Sequence, residues 1–280
     1  MFHGPSIPAI STGMTEYSEQ ADIALHRATF DGLFGLLGAL GMPADGFGLG
    51  LDIGGGFGAA APFLQTVCQR IYVADIIDYN AYDDGRLVRL LIERYQRNAL
   101  PFDAARVELH RVDAQDLIYR DALFDLVYSV NALEHIPEPE LAWREIVRVT
   151  RPGGVVALQF DPIWTSPNGH HLWHLALDPW DHLILGEEEM AAKILRHGGT
   201  DADVGTFTAA MNRKACCVHR DLIERMGRTH FSQFHMDWWD RRPELEAATA
   251  HPNFGRAIAL GHAAEDLVVR GFNFAGIRAG

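Results

Sequence analysis

Cysteine is scarce in this chain of 280 residues. The three cysteines are Cys68, Cys216 and Cys217, an odd number that includes an adjacent pair. Such a set does not make a disulfide framework, and the sequence has no C-x-x-C pair of the kind that binds zinc. We therefore expect a protein of a reducing compartment, the cytoplasm.

Long apolar runs are also missing. No stretch approaches the roughly 18 uncharged apolar residues of a transmembrane helix. The first residues, MFHGPS, lack the basic start and apolar run of a secretion signal. The overall hydrophobic content of 48% is nevertheless enough for a sizeable core. A soluble protein with no membrane partner is expected.

Positive charge is in deficit. The chain has 24 basic and 37 acidic residues, a formal net charge of -13, and its only lysines are Lys193 and Lys214. A dedicated nucleic-acid binder normally presents a basic patch. The composition therefore argues against a nucleic-acid partner.

The apolar pattern predicts strands that alternate with helices from Phe47 onward. This alternation is typical of βαβ units, which form a parallel sheet with helices on both faces. The predicted strands are 48–53, 70–74, 106–112, 124–130, 155–160, 231–239 and 268–277. The predicted helices are 17–40, a segment ending at 67, 86–98, 138–149, 187–197, 220–226 and 254–267, with a loop over 161–183 and a turn over 198–205.

A glycine-rich segment, Leu51-Asp52-Ile53-Gly54-Gly55-Gly56-Phe57-Gly58, follows the first predicted strand. Glycine permits positive φ and close approach of a ligand to the backbone. The free N–H groups of a following helix attract anionic ligands. Taken alone this pattern is weak, because Gly54-x-Gly56-x-x-Ala59 also fits a dinucleotide fingerprint. The acidic residue about 20 positions later, Asp75, suits both interpretations.

Further motifs follow the later strands. Polar residues occur at or near the ends of four predicted strands, where parallel sheets bind ligands: Asp52, Asp75, Asp113 and the 129–131 stretch. The other segments are DAQD at 113–116, FDLVYSVNALEHI at 124–136 and RPGG at 151–154. In this order, over roughly residues 47–161, the motifs resemble those of class I S-adenosylmethionine (SAM)-dependent methyltransferases, specifically the ubiquinone-biosynthesis-type methyltransferase domain.

This resemblance implies an α/β fold. The expected architecture is a Rossmann-like, doubly wound, mostly parallel sheet with a terminal antiparallel strand and a helical or loop cap. The implied organisation is an N-terminal helical segment (1–46), a SAM-binding core (47–161), an acceptor-side insertion (162–230) and C-terminal strands that complete the sheet (231–280).

The resemblance also implies roles for the cofactor-binding residues. Asp52, Gly54, Gly56 and Gly58 would surround the methionine portion of SAM. Asp75 would hold the ribose hydroxyls, and Ile76 would pack on the adenine. Asp113 would accept a hydrogen bond from the adenine amino group, the N–H of Ala114 would face a ring nitrogen, and Asn131 would line the methyl end.

A segment rich in tryptophan and histidine follows the fifth strand, and we expect it on the acceptor side. Histidine is the usual base near neutral pH, so the candidate catalytic residues are His182 and His171 in this segment and His135 after the fourth strand. Two alternatives remain open. These side chains pack a folded cap, or they bind a divalent metal, which is less favoured because the ligands lie in one loop without a helical i, i+4 pair. We therefore predict no metal.

The predicted function is methyl transfer from SAM to an oxygen of a small molecule or saccharide, by in-line displacement with a histidine base and S-adenosylhomocysteine (SAH) as product. N- or C-methylation of a small metabolite, or a degenerate domain that only binds, are the alternatives. An NAD(P) oxidoreductase is disfavoured, because neither lysine follows a tyrosine in a Tyr-x-x-x-Lys pair. The acceptor and the oligomeric state, with a homodimer among the options, are left open.

Overall fold

The computed structural model describes residues 19–42, 45–56 and 58–280. These residues divide into two compact units. The first, here called the sheet unit, holds the described residues up to Phe160 together with Leu222–Asp237 and Asn273–Gly280. The second, the helical unit, holds Asp161–Asp221 and Trp238–Phe272.

Within the described residues, seven strands form one sheet in the order β3-β2-β1-β4-β5-β7-β6. The pairs β1–β2, β2–β3, β1–β4 and β4–β5 are parallel, and one edge is antiparallel. The predicted mostly parallel sheet with a terminal antiparallel strand is confirmed. The strands are β1 (Phe47–Ile53), β2 (Cys68–Asp75), β3 (Val107–Arg111), β4 (Phe124–Val130), β5 (Thr150–Phe160), β6 (Phe231–Trp239) and β7 (Gly271–Arg278).

Helices cover the sheet because its central strands are apolar on both faces. Parallel strands that are buried on both faces read as nearly continuous hydrophobic runs, as in Phe124–Val130. One helix buries Phe30, Leu33 and Leu37 in a core cluster that includes Val155 and Ala157. The helices in this part of the chain are α1 (Glu19–Ala39), α2 (Ala61–Leu64), α3 (Arg86–Arg97) and α4 (Pro139–Val149).

The strand order contains one reversal. The chain builds β1, β2 and β3 outward in one direction and then returns to place β4 on the other side of β1. Helices that follow β1 and β4 therefore leave the sheet in opposite directions, and a crevice forms where these two strands end. Ser129 ties the two ends together, because its hydroxyl donates a 2.7 Å hydrogen bond to the carbonyl of Ile53.

The rest of the chain is mostly helical. Trp164, Met190, Ile194 and Phe207 form a core of the helical unit, and Trp180 belongs to a second buried cluster. The remaining described helices are α5 (Asp181–Ile184), α6 (Glu187–Arg196), α7 (Asp201–Ala209), α8 (Cys216–His230), α9 (Arg242–Thr249), α10 (Pro252–Ala259) and α11 (Ala264–Leu267).

Two local predictions in this region are wrong, and one helix was not predicted. The turn expected over 198–205 is only partly a turn, because Thr200 caps α7 by accepting a hydrogen bond from the backbone N–H of Asp203. The helix expected over 254–267 is two helices, separated at Gly261, which has φ +98°. Helix α9 has no counterpart among the predicted elements. Polar capping residues and glycines decide where these helices begin and end. The spacing of apolar residues along the sequence indicates these boundaries poorly.

Among the described residues, none of the helices combines the length and the apolar character that a bilayer span requires.

Candidate functional site

The glycine-rich segment forms a turn after β1. Gly54, Gly56 and Gly58 have φ of +66°, +59° and +97°, a region that L side chains rarely adopt. The Gly54 N–H donates a 2.7 Å hydrogen bond to the carbonyl of Ala74 in β2. A Cβ at Gly54 would overlap the Cβ of Ala132, which follows β4. The turn therefore needs glycine for both its conformation and its close approach to the end of β4.

Asp52 lies beneath this turn with only 1% of its surface exposed. Its Oδ2 atom has no hydrogen-bond partner among the residues that the structure describes. Burial, with a smaller contribution from the charge of Asp75, raises the pKa of this carboxyl to about 8. A buried carboxyl without a partner costs free energy. Such a group is poised to receive a positively charged or hydrogen-bond-donating ligand.

Asp75 ends β2 and holds the glycine turn. Its two carboxylate oxygens accept hydrogen bonds from the N–H groups of Gly56 (3.1 Å) and Ile77 (3.0 Å). Burial raises the pKa of Asp75, while these backbone hydrogen bonds act in the opposite direction. The neighbouring Ile76 is 65% exposed. A fixed carboxylate beside an exposed aliphatic side chain suits the ribose and the base of a nucleoside.

Asp113 and Ala114 lie in the turn that follows β3. The Asp113 carboxylate is exposed and accepts hydrogen bonds from the backbone and side-chain amides of Gln115, the shorter at 2.8 Å. Gln115 in turn accepts from the N–H of Glu138 at 3.0 Å. These contacts fix the turn and leave the carboxylate accessible.

Asn131 and His135 follow β4, on the other side of β1. Asn131 has φ +53°, which asparagine tolerates better than most residues, and its N–H donates to the carbonyl of Gln159 at 2.9 Å. The ring of His135 is 39% exposed and lies 3.8 Å from the carboxylate of Glu134. The sheet unit therefore brings together the nine residues predicted to bind the cofactor, at the ends of β1, β2, β3 and β4.

Sequence reasoning missed a residue that shapes the glycine turn. The phenol of Tyr95, in α3, donates toward the carbonyls of Gly58 (2.8 Å) and Ala59 (2.9 Å). Tyr95 is almost fully buried, and burial raises its pKa. Nothing in the sequence distinguishes it from an ordinary core residue of an amphipathic helix.

The other two candidate bases lie in the helical unit. His182 is 5% exposed, and its Nε2 lies 2.7 Å from the carbonyl of Trp164. Burial holds the pKa of His182 well below its usual value. Its neighbour His170 is also buried, with a pKa lowered to about 4 by burial and by His174. His171 is half-buried and has φ +60°.

Most of the aromatic side chains in this segment are structural. Trp180 is fully buried, and its indole N–H donates to the carbonyl of Thr165 at 3.1 Å. Asp181 is 2% exposed and pairs with Lys193 at 2.6 Å. Trp173 is the exception, because it is half-exposed and lies under the Arg270 guanidinium at 4.6 Å. The buried side chains of this segment therefore fit the interpretation that they pack a folded cap.

The segment that holds the glycine turn matches a known protein family. The family model described as "Methyltransferase domain" matches residues 51–158, which run from the strand before the glycine turn to β5. This chain carries a class I, SAM-dependent methyltransferase domain. The predicted methyltransferase domain is therefore confirmed over these residues.

Sequence relatives support the same assignment for this domain. An uncharacterised methyltransferase of Mycobacterium tuberculosis (strain H37Rv) is 33% identical over 88 residues, which cover 31% of this chain and 32% of the relative. One of Mycobacterium marinum is 34% identical over the same length. The match thus spans about a third of these relatives, and it concerns the methyltransferase domain alone.

A solved structure supports the fold. Haemonchus contortus phosphoethanolamine N-methyltransferase 2, in complex with SAM, gives a TM-score of 0.50 at 17% identity, over 95% of this chain and 59% of that one. At this identity the likeness concerns the architecture of the methyltransferase domain and not its substrate.

Proposed function

We propose that this protein transfers a methyl group from SAM to a small-molecule acceptor and releases SAH. The observation that carries the proposal is Asp52, a buried carboxyl without a partner among the described residues, directly beneath a turn of three positive-φ glycines. The turn lies at the reversal of strand order, where sheets of this type bind ligands.

The residues at the strand ends fit the parts of SAM. Asp52 would face the positively charged amino group of the methionine portion, beside Gly54, Gly56 and Gly58. The Asp75 carboxylate, already fixed by two backbone N–H groups, would accept from the ribose hydroxyls. The exposed Ile76 would pack on the adenine, with Asp113 and Ala114 at its edge, and Asn131 would lie toward the methyl end.

Bound SAM supplies a methyl group on a positively charged sulfur, which is a strong electrophile. The protein's part is to hold an acceptor in line with the carbon–sulfur bond. The acceptor's lone pair forms the new bond to the methyl carbon while the carbon–sulfur bond breaks. The electron pair of the broken carbon–sulfur bond stays on sulfur. A hydroxyl acceptor also gives up its proton to a base.

We propose an oxygen acceptor, on a small molecule or a saccharide, with histidine as the base. His135 is the best placed of the three candidates, because it lies in the turn after β4 and its ring is 39% exposed. The buried His182 already uses Nε2 with the Trp164 carbonyl, and burial disfavours its protonated form. His171 stays the second candidate.

A cytoplasmic location is proposed from the thiols. Cys68, Cys216 and Cys217 are all free cysteines. Burial raises the pKa of the Cys68 thiol to about 12, and that of Cys216 also to about 12, which keeps both protonated and unreactive. Such thiols suit a reducing compartment.

Calorimetric titration with SAH, beside NADH, tests the cofactor. We expect SAH to bind and NADH not to bind. Asp75→Ala is expected to weaken SAH binding by about 1–3 kcal/mol, the scale of a hydrogen bond to a charged group. Asp31→Ala removes an exposed carboxylate from α1 and serves as the control, with unchanged affinity. NADH binding without SAH binding would refute the proposal.

Replacing single histidines with alanine tests the base. His135→Ala should lower the initial rate of methyl transfer about a hundredfold, the lower range for general-base catalysis, with SAH affinity unchanged. His182→Ala should instead lower the free energy of unfolding by about 2–4 kcal/mol, because it leaves a cavity and an unpaired carbonyl. An unchanged rate for His135→Ala would rule out His135 as the base and leave His171 as the candidate to test next.

A further inference from the structure

A cleft of about 430 Å³ lies in the sheet unit, beside α1. Its lining comes from one side of the helix and from strands β5, β6 and β7, namely Ala28, Thr29, Gly32, Leu33, Leu36, Gln159, Asp237 and Asn273. We propose that this cleft binds the methyl acceptor, and that the acceptor is a neutral or cationic small molecule. The inference rests on the proposed function and specifies its substrate.

The alternation of side chains along β5 explains how the cleft forms. Val155 and Ala157 pack in the same core cluster as α1 residues Leu33 and Leu37. Gln159, two positions further along, is on the same face of the sheet. On the helix, Ala28 and Gly32 are exposed and have small or no side chains, so α1 leaves the end of this face open. A Cβ at Gly32 would meet no atom within 4 Å.

The cleft adjoins the predicted methyl end of the cofactor site. The carbonyl of Gln159 accepts the N–H of Asn131 at 2.9 Å, and Gln159 pairs with Val130 in the sheet register. The cleft and the turn after β4 therefore share a backbone hydrogen bond. A molecule held against Gln159 lies beside the strand end at which we place the methyl group.

The polar groups in the cleft are arranged for hydrogen bonding. Neither the side-chain amide of Gln159 nor the hydroxyl of Thr29 has a hydrogen-bond partner in the described part of the chain. The Asp237 carboxylate is held in place by the side-chain amide of Asn273 at 2.7 Å and the His235 ring at 2.9 Å. It remains 42% exposed and can accept from a ligand.

The charge of the cleft favours one class of acceptor. Its lining contains one carboxylate, Asp237, and neither lysine nor arginine. The chain as a whole carries a net charge of -13, which adds a repulsive field for anions. Amines and neutral hydroxyl compounds therefore match the cleft, whereas a phosphate or carboxylate near the reacting atom would have no cation to pair with among these lining residues.

Filling the cleft tests its role. Gly32→Leu places a large side chain in open space on a helix that leucine favours, so the protein should fold. The matched control is Gly35→Leu, because Gly35 is also exposed on α1 with no atom within 4 Å of its Cβ and does not line the cleft. Both variants should bind SAH within about twofold of the wild type. If the wild-type protein did not bind SAH, the proposed function itself would be refuted.

The acceptor probe is a small-molecule cell extract, separated by anion exchange and incubated with SAM carrying a radiolabelled methyl group. We expect label in the unretained, neutral and cationic fraction, with at least a tenfold lower rate for Gly32→Leu and less than a twofold change for Gly35→Leu. Label only in the retained, anionic fraction would overturn the charge assignment. Equal rates for the two variants, or no transfer by wild-type protein that binds SAH, would overturn the cleft as the acceptor site.

Discussion

Replacing Gly54 with alanine is expected to weaken SAH binding at least a hundredfold and to lower the melting temperature by several degrees. At φ +66° an L residue is strained by roughly 1–2 kcal/mol. The added Cβ would also overlap Ala132, so the turn must move away from the end of β4. Because Gly54 also bonds to Ala74, this movement would disturb the ends of three strands. Calorimetry with SAH and thermal unfolding measure the two effects.

Gly35→Ala provides the contrast within the same chain. Gly35 lies inside α1, and a Cβ there would meet no atom within 4 Å. Alanine in an exposed helical position is more favourable than glycine by roughly 0.5–1 kcal/mol. This variant should therefore be slightly more stable, with unchanged SAH affinity. If Gly54→Ala behaved in the same way, the glycine turn would not be part of the cofactor site.

Asp52→Asn is expected to stabilise the ligand-free protein and to weaken cofactor binding. The pKa of Asp52 is about 8 in the folded protein, against an ordinary value of 3.8. The folded state therefore binds more protons than the unfolded state between these values, and the stability of the wild type falls as pH rises from about 4 to 8. Asparagine does not ionise, so the variant escapes this loss, which is on the order of 4 kcal/mol at pH 7.

The same carboxyl should give SAH binding a proton signature. A ligand ammonium favours the ionised carboxylate, so binding near pH 7 should release up to one proton from the wild type and none from Asp52→Asn. Affinity of the variant should fall about ten- to a hundredfold, the scale of a charged hydrogen bond. Titration in buffers of different ionisation enthalpy counts the protons. Wild-type binding without proton release, together with equal affinity of the variant, would place Asp52 away from the ligand.

These two variants separate two demands on the same turn. Gly54 is required for the backbone to follow its path, so its replacement harms both stability and binding. Asp52 is held in a costly environment, so its replacement is expected to benefit stability and harm binding. Opposite signs of this kind are characteristic of a residue retained for function.

The sequence by itself determined the strands of the sheet and the candidate residues for cofactor binding. Apolar runs such as Phe124–Val130 specify strands locally. The glycines and aspartates that follow these runs in the sequence therefore lie at the carboxyl ends of strands, where parallel sheets bind ligands, whatever the order of the strands. The order of these motifs, from Asp52 to Asn131, was therefore enough to predict the methyltransferase domain. None of this required knowledge of which distant residues meet.

Tertiary structure decided everything that depends on residues far apart in the sequence. Tyr95, in α3, donates a hydrogen bond to the carbonyl of Gly58 in the glycine turn. Asp237 and Asn273 complete the lining of the cleft beside Gly32. The burial of His182 against the Trp164 carbonyl is equally invisible in the sequence, where a histidine beside tryptophans looks the same in a core as in a site. The pattern of a strand and the residues of a turn are local, so the sequence reveals them. The burial of a side chain and its hydrogen-bond partners depend on how the whole chain packs, so only the tertiary structure reveals them.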